Sequence, residues 1–356
     1  MITISLCMIV KNEEKVLSRC LDSVKEIVDE IIIIDTGSTD KTKQIAKKYT
    51  NKVLDFKWIN DFSAARNYSF SFASMDYVLW LDADDVILNK DKEKLLELKK
   101  TLDKKTDFVM MKYDVGFDEY GNTTFSYYRE RLIKNNKNIK WLSPIHEAIT
   151  PFGNIEYSDI SITHKKETTT YSSRNLEIFN DMLKKGIVLD SRQRYYYARE
   201  LMYAKEYNHA IEIFEQVIQD VYCWIENRIS ACIDLANCYS TIGDDKKYIS
   251  SLLRSFELDI PRGEICSKIG IYFMSKNKYD IAIYWFKAAL NIKPNIKSGA
   301  FIQMDYYTFI PCINLCVCYD KLGKRKQAIK YNNLAGKYKP QSKEYLNNLE
   351  YFSLNH

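Results

Sequence analysis

At 356 residues, with 46% hydrophobic and 13% aromatic side chains, the chain is long for one domain and too rich in core-forming residues to be disordered or of low complexity. Its 52 Lys and Arg against 47 Asp and Glu leave a net charge of only +5 with no dominant basic block, which argues against nucleic acid as a partner. Nine cysteines, an odd number set in apolar stretches without paired CxxC units, predict reduced buried thiols rather than disulfides or zinc.

Residues 3–10 read as a buried strand and not as a signal peptide: they lack a basic leader and a small-residue cleavage site and run directly into Lys11-Asn12-Glu13-Glu14. No apolar run approaches the roughly 20 residues of a membrane span, so a cytoplasmic protein without membrane insertion is expected. A helix over 14–28 is predicted by Val16, Leu17, Cys20, Leu21 and Val24 at helical spacing. The four isoleucines of 30–34 predict a central parallel strand, buried on both faces and ending at Asp35. Thr36-Gly37-Ser38-Thr39-Asp40 is a glycine turn with cap residues opening a helix to about 49. A strand over 52–56 and a helix over 62–73 lead to the apolar run 77–81, which ends in Asp82-Ala83-Asp84-Asp85.

Three carboxylates within four residues repel one another and are costly to desolvate unless a cation sits among them. All-oxygen ligands suit a hard ion such as Mg²⁺ or Mn²⁺, which would bridge to a diphosphate. Taken alone, the same residues also fit a solvated acidic turn after a core strand. The β-α-β-α-β-α-β order is a doubly wound nucleotide-binding layout without GxGxxG or a P-loop.

Ser5-Leu6-Cys7-Met8-Ile9-Val10-Lys11-Asn12-Glu13, Ile34-Asp35-Thr36-Gly37-Ser38-Thr39-Asp40, Asn60-Asp61-Phe62-Ser63-Ala64-Ala65-Arg66-Asn67 and Leu81-Asp82-Ala83-Asp84 together resemble the family-2 glycosyltransferases of GT-A fold. The nearest subgroup joins that domain to helical repeats, as in the sublancin-type peptide S-glycosyltransferases. The resemblance implies a UDP-sugar pocket lined by Val10, Asn12, Glu13, Asp35, Asp61, Arg66 and Asp82. A guanidinium suits a diphosphate or the strand-end carboxylates, while a surface ion pair between Arg66 and Asp61 is the plainer reading. For Glu13 the plainer reading is an acidic first helical turn.

A helix over 90–102, a strand over 107–113, a hairpin turn at 119–122 and a strand over 124–128 follow. Arg129-Glu130-Arg131 and Lys140-Trp141 then precede Ser143-Pro144-Ile145-His146-Glu147. His146-Glu147 is not HExxH, because the fifth position is Thr150. The subgroup has a comparable pair, which implies Glu147 as general base and His146 as its orienter, a core histidine being the alternative. The resemblance also implies that His164, ending a strand over 160–164, joins Asp82 and Asp84 around the metal, with Asp85 as substitute; imidazole suits Mn²⁺ better than Mg²⁺.

From residue 172 the periodicity is helical. Hairpins are predicted at 194–219, 230–259, 263–294 and 309–340, with Ala210, Tyr248, Ala282 and Ala328 recurring 38, 34 and 46 residues apart, near the tetratricopeptide period with one insertion around 295–308. The expected organisation is an α/β GT-A domain over 1–170 and an all-α tetratricopeptide-like domain over 171–356, which binds the acceptor, forms a homodimer, or both. The function implied is an inverting, metal-dependent transfer of a hexose, glucose being expected, from a UDP-sugar to a peptide or protein side chain, Cys or Ser/Thr. Transfer to a lipid-linked or cell-surface saccharide, and an inactive adaptor, stay open.

Overall fold

Continuous apolar runs make the centre of one mixed sheet. β1 (Ile4–Val10), β2 (Glu30–Asp35), β3 (Val53–Asp55) and β4 (Tyr77–Trp80) are parallel, in the order β3-β2-β1-β4, with Cys7 opposite both Ile32 and Trp80. Strands buried on both faces need helices on both, which explains why β1, β2 and β4 do not alternate. The helices are α1 (Leu17–Val24), α2 (Thr42–Ala46), α3 (Phe62–Phe70) and α4 (Asn89–Thr101). Beyond β4 the sheet is mixed, its pairs antiparallel except for the parallel pair of the strands over 108–117 and 155–164. β6 (Phe108–Phe117), β7 (Thr123–Lys134) and β8 (Ile155–His164) extend it as β4-β7-β6-β8, and the two-residue β5 (Asp85–Val86) closes the edge against β8. The expected strands 124–128 and 160–164 are therefore the better-patterned parts of longer ones.

This computed structural model describes residues 1–166 and 172–354. They divide into two compact units, Met1–Val188 and Leu189–His356. The boundary expected at 170/171 lies outside the described residues, and α5 (Arg174–Lys184) belongs to the first unit.

The second unit is built of helical hairpins: α6 (Ser191–Tyr203) with α7 (Tyr207–Gln219), α8 (Ile225–Thr241) with α9 (Asp245–Arg254), α10 (Gly263–Ser275) with α11 (Tyr279–Asn291), and α12 (Phe309–Lys321) with α13 (Arg325–Tyr338). A last helix, α14 (Lys343–Leu354), follows. Each hairpin turns on one left-handed residue: Lys205, Gly243, Asn277 and Gly323. After each, the next backbone N–H reaches back to close the first helix, as from Asp244 to the Tyr239 carbonyl. These turns recur at the 38, 34 and 46 residue intervals seen in the sequence. Ala210, Ala282 and Ala328 are fully buried beside Phe214 and Phe286, the small residues letting paired helices approach. The nine cysteines are all free and buried. Among the described residues no helix is long and apolar enough to cross a membrane.

Candidate active site

β1, β2 and β4 end on one cavity of about 820 Å³, lined at those ends by Val10, Thr36 and Asp82. Ligands collect there in α/β sheets because neighbouring loops diverge where the strand order reverses. The β1 and β2 loops are laced together. Asn12, in the left-handed region at φ 57°, donates its backbone N–H to Ser38 Oγ (3.0 Å) and accepts from the Thr39 N–H on its side-chain oxygen (2.8 Å). Glu13 donates its N–H to Thr42 Oγ1 (2.7 Å). Asp35 is buried and folds the β2 turn, its Oδ1 accepting from the N–H groups of Gly37 and Ser38. Asp35 Oδ2 is buried with no hydrogen-bond partner among the described residues, and Asp35 lies behind Thr36 and is not itself one of the residues that line the cavity. Burial, reinforced by Asp84, Asp82 and Asp40, pushes the Glu13 carboxyl up to about 7.

The acids after β4 divide into two networks. Asp82 faces Arg66, whose Nη2 donates to its Oδ1 at 2.8 Å while Arg66 Nε donates to Glu147 Oε1 at 2.7 Å. Burial would raise the Asp82 carboxyl, yet Arg66 and Arg131 outweigh it and hold Asp82 at about 2. Arg66 is itself buried, its guanidinium 4.9 Å from the ring centres of both Trp80 and Trp141. The alternative of an ion pair between Arg66 and Asp61 is not what forms. Asp61 caps α3, accepting from the Ala64 N–H (2.9 Å) and the Ser63 hydroxyl (2.7 Å), and it does not line the cavity.

Asp84, Asp85 and His164 form the second network, each offering a ligand atom within 4.8 Å of the others. Asp85 reaches it because β5 pairs Asp85 with His164. His164 Nδ1 lies 3.4 Å from Asp84, 3.5 Å from Asp85 and 2.9 Å from the Tyr113 hydroxyl. Burial would lower the His164 imidazole, but the two carboxylates raise it to about 9. Asp85 is fully buried, one oxygen bonded to Arg131 Nη1 at 2.9 Å and the other, Oδ1, without a hydrogen bond among the described residues. Two carboxylates, one of them with a buried oxygen that no hydrogen bond claims, and an imidazole fit a divalent cation. The site therefore gathers Asp84 and His164 as expected, adds Asp85, and sets Asp82 on Arg66.

Glu147 and His146 sit in a loop that α3 bolts down. Asn67 exchanges hydrogen bonds with the Trp141 backbone (both 2.9 Å), and the Phe62 N–H donates to the Pro144 carbonyl (2.8 Å). A Leu142–Ala148 bridge closes the loop at its base. Glu147 and His146 both line the cavity, and the His146 ring stacks against Phe179 with ring centres 6.2 Å apart. Sequence reasoning assigned no role to Trp80, Trp141, Arg129, Arg131 or Tyr113. Alternation along β7 places Arg129 and Arg131 on one face, and that was the available signal.

Residues 5–155 match the family Glycosyl transferase family 2. This stretch is a family-2 glycosyltransferase domain. It is similar to a TPR repeat-containing protein of Synechococcus elongatus, 39% identical over 151 residues that make up 42% of this chain and 36% of that protein. It is also similar to the SPbeta prophage-derived glycosyltransferase SunS of Bacillus subtilis, 34% identical over 148 residues, 41% of this chain and 34% of that one. The matched stretch thus spans about a third of the length of these curated relatives. Among solved structures, S. aureus TarS 1-349 in complex with UDP-GlcNAc is 16% identical with a TM-score of 0.42, covering 71% of this chain and 90% of that one; at that distance the likeness says nothing about ligands.

Proposed function

We propose that the first unit moves a hexose, glucose being expected, from a UDP-sugar to a Cys or Ser/Thr side chain of a polypeptide, with inversion at the anomeric carbon. One observation carries the reading. A single cavity holds a cation-ready cluster, Asp84 and His164 backed by Asp85, and a carboxylate, Glu147, fixed through Arg66 to the same strand end. The family-2 domain and the glycosyltransferase name of the Bacillus subtilis relative support it.

A divalent cation held by Asp84, Asp85 and His164 would neutralise the charge that builds on the departing diphosphate. Val10, Asn12 and Glu13 bound the nucleotide side of the cavity, and the free oxygen of Asp35 suits a uracil N–H or ribose hydroxyl. The acceptor oxygen or sulfur attacks the anomeric carbon as its bond to the diphosphate oxygen breaks. UDP leaves with the electron pair, and the acceptor proton passes to Glu147 Oε2. The second unit is read as the polypeptide holder, and as a dimerisation element, because stacked hairpins offer an extended surface for many modest contacts.

The experiment is a panel of UDP-sugars with Mn²⁺ and peptides encoded beside this gene, scored by UDP release and intact mass. The reading predicts UDP release and a peptide heavier by one hexose. Transfer to lipid-linked saccharide alone would replace the acceptor, and no UDP release from any donor would favour an adaptor.

A further inference from the structure

Three residues near Glu147 other than glycine adopt left-handed backbone conformations: Asn60 (φ 60°), Ser143 (φ 74°) and His146 (φ 51°). Such conformations are disfavoured for side-chain-bearing residues and persist where surrounding structure imposes them. The Leu142–Ala148 bridge fixes the base of the loop over 143–147. Two of the three are gripped by one helix, α5, which lies beyond the family-2 match of 5–155. The His146 ring stacks on the fully buried Phe179, and Asn60 Nδ2 donates to Asp181 Oδ2 at 3.0 Å. A third grip comes from Arg174, whose guanidinium lies 4.8 Å from the Phe62 ring centre. Loop 143–147 is also joined to α3, the helix that loop 58–61 leads into, by the Phe62 N–H to Pro144 bond and by Arg66 to Glu147.

We propose that Phe179 and Asp181 are positioning residues, which act through His146 and Asn60 to hold loops 58–61 and 143–147 in the shape that presents Glu147 to the cavity. The proposal rests on reading Glu147 as the base. Neither residue is asked to touch substrate. Because a displacement of about 1 Å at a reacting group can cost on the order of 100-fold, loosening either grip should lower turnover far more than donor binding.

The test uses the full chain with Phe179→Leu, which keeps a buried apolar side chain and removes the stacking ring, and with Asp181→Ala, Asn60→Gly and their double variant. Hydrogen exchange is read on the amides of Leu142 and Ala148 and of Phe62, and UDP release from UDP-hexose is measured beside UDP affinity. Faster exchange by about tenfold at these amides, a fall in turnover of about 10–100-fold and unchanged UDP affinity are expected. Glycine reaches φ 60° unaided, so Asn60→Gly should restore turnover to Asp181→Ala. A general destabilisation of α5 would show no such rescue, and its absence would overturn the proposal. So would wild-type exchange in Phe179→Leu, or faster exchange with full turnover. Should the wild-type chain release no UDP from any donor, the functional reading fails, while the exchange arm still decides whether α5 holds the loops.

Discussion

Arg66→Met removes the cation that joins the end of β4 to the Glu147 loop while keeping an unbranched side chain between Trp80 and Trp141. Glu147, with 13% of its side chain exposed, loses a charge-assisted bond worth about 1.5–3 kcal/mol. Asp82 is 35% exposed, so water replaces most of what it loses and its share is about 0.5 kcal/mol. Lost cation–π contact with two indoles adds about 1 kcal/mol. The total of about 3–4.5 kcal/mol corresponds to a drop of about 6–18 °C in the melting transition of a unit this size. Arg66→Lys keeps a charge but serves one carboxylate at a time, and about half that drop is expected. Calorimetry of the full chain reads the first-unit transition. The pH dependence has a definite sign. Asp82 is held at about 2 against its usual 3.8, so its stabilisation is present above 3.8 and lost as pH falls through 2. The gap between wild type and Arg66→Met should therefore narrow over that range. A variant that melts within about 2 °C of wild type at pH 7 would refute the idea that Arg66 ties strand to loop.

Asp84→Ala should abolish Mn²⁺ binding in a titration with little change in melting temperature. Asp85→Ala should lose both, because it strands the fully buried Arg131 at a cost of about 3–5 kcal/mol; equal melting of the two variants would contradict the division of the acids. Glu147→Gln should lower turnover by about 10²–10⁴ while UDP-sugar affinity is kept, and an equal loss of affinity would place it in the donor site. Metal binding must displace the proton that Asp84 and Asp85 hold on His164 up to about pH 9. Apparent Mn²⁺ affinity should then rise about tenfold from pH 7 to 8, with proton release visible as a buffer-dependent heat; a flat profile would remove His164 from the ligand set.

Much of the fold was legible because its strands are short apolar runs bounded by turn residues and its helices keep a clear period. The four isoleucines of β2 marked a buried strand directly, whereas the acids after β4, which alone also fit a solvated turn, became legible only beside the other three motifs. β5 was not legible, since two residues carry no periodicity, and with it went the route that brings Asp85 to His164. Asp61 shows a different limit. An Asp at the first position of a helix suits both a cap and a ligand contact, and the structure uses it as a cap. Asp82 and Asp84 look equivalent in sequence, yet Arg66 pairs with the first and His164 with the second, a three-dimensional fact that spacing cannot encode. Helical periodicity likewise revealed a helix at α5 and so grouped it with the all-α domain, whereas it packs in the first unit, because periodicity does not say what a helix packs against.

Crystals of the full chain grown with UDP and Mn²⁺, with anomalous data collected at the manganese edge, test most directly whether the cavity at the ends of β1, β2 and β4 is a UDP–metal site. One strong peak is expected among Asp84, Asp85 and His164, with a uracil N–H or ribose hydroxyl on the free oxygen of Asp35. A peak on Asp82 with Arg66 swung away, or UDP bound outside this cavity, would contradict that assignment.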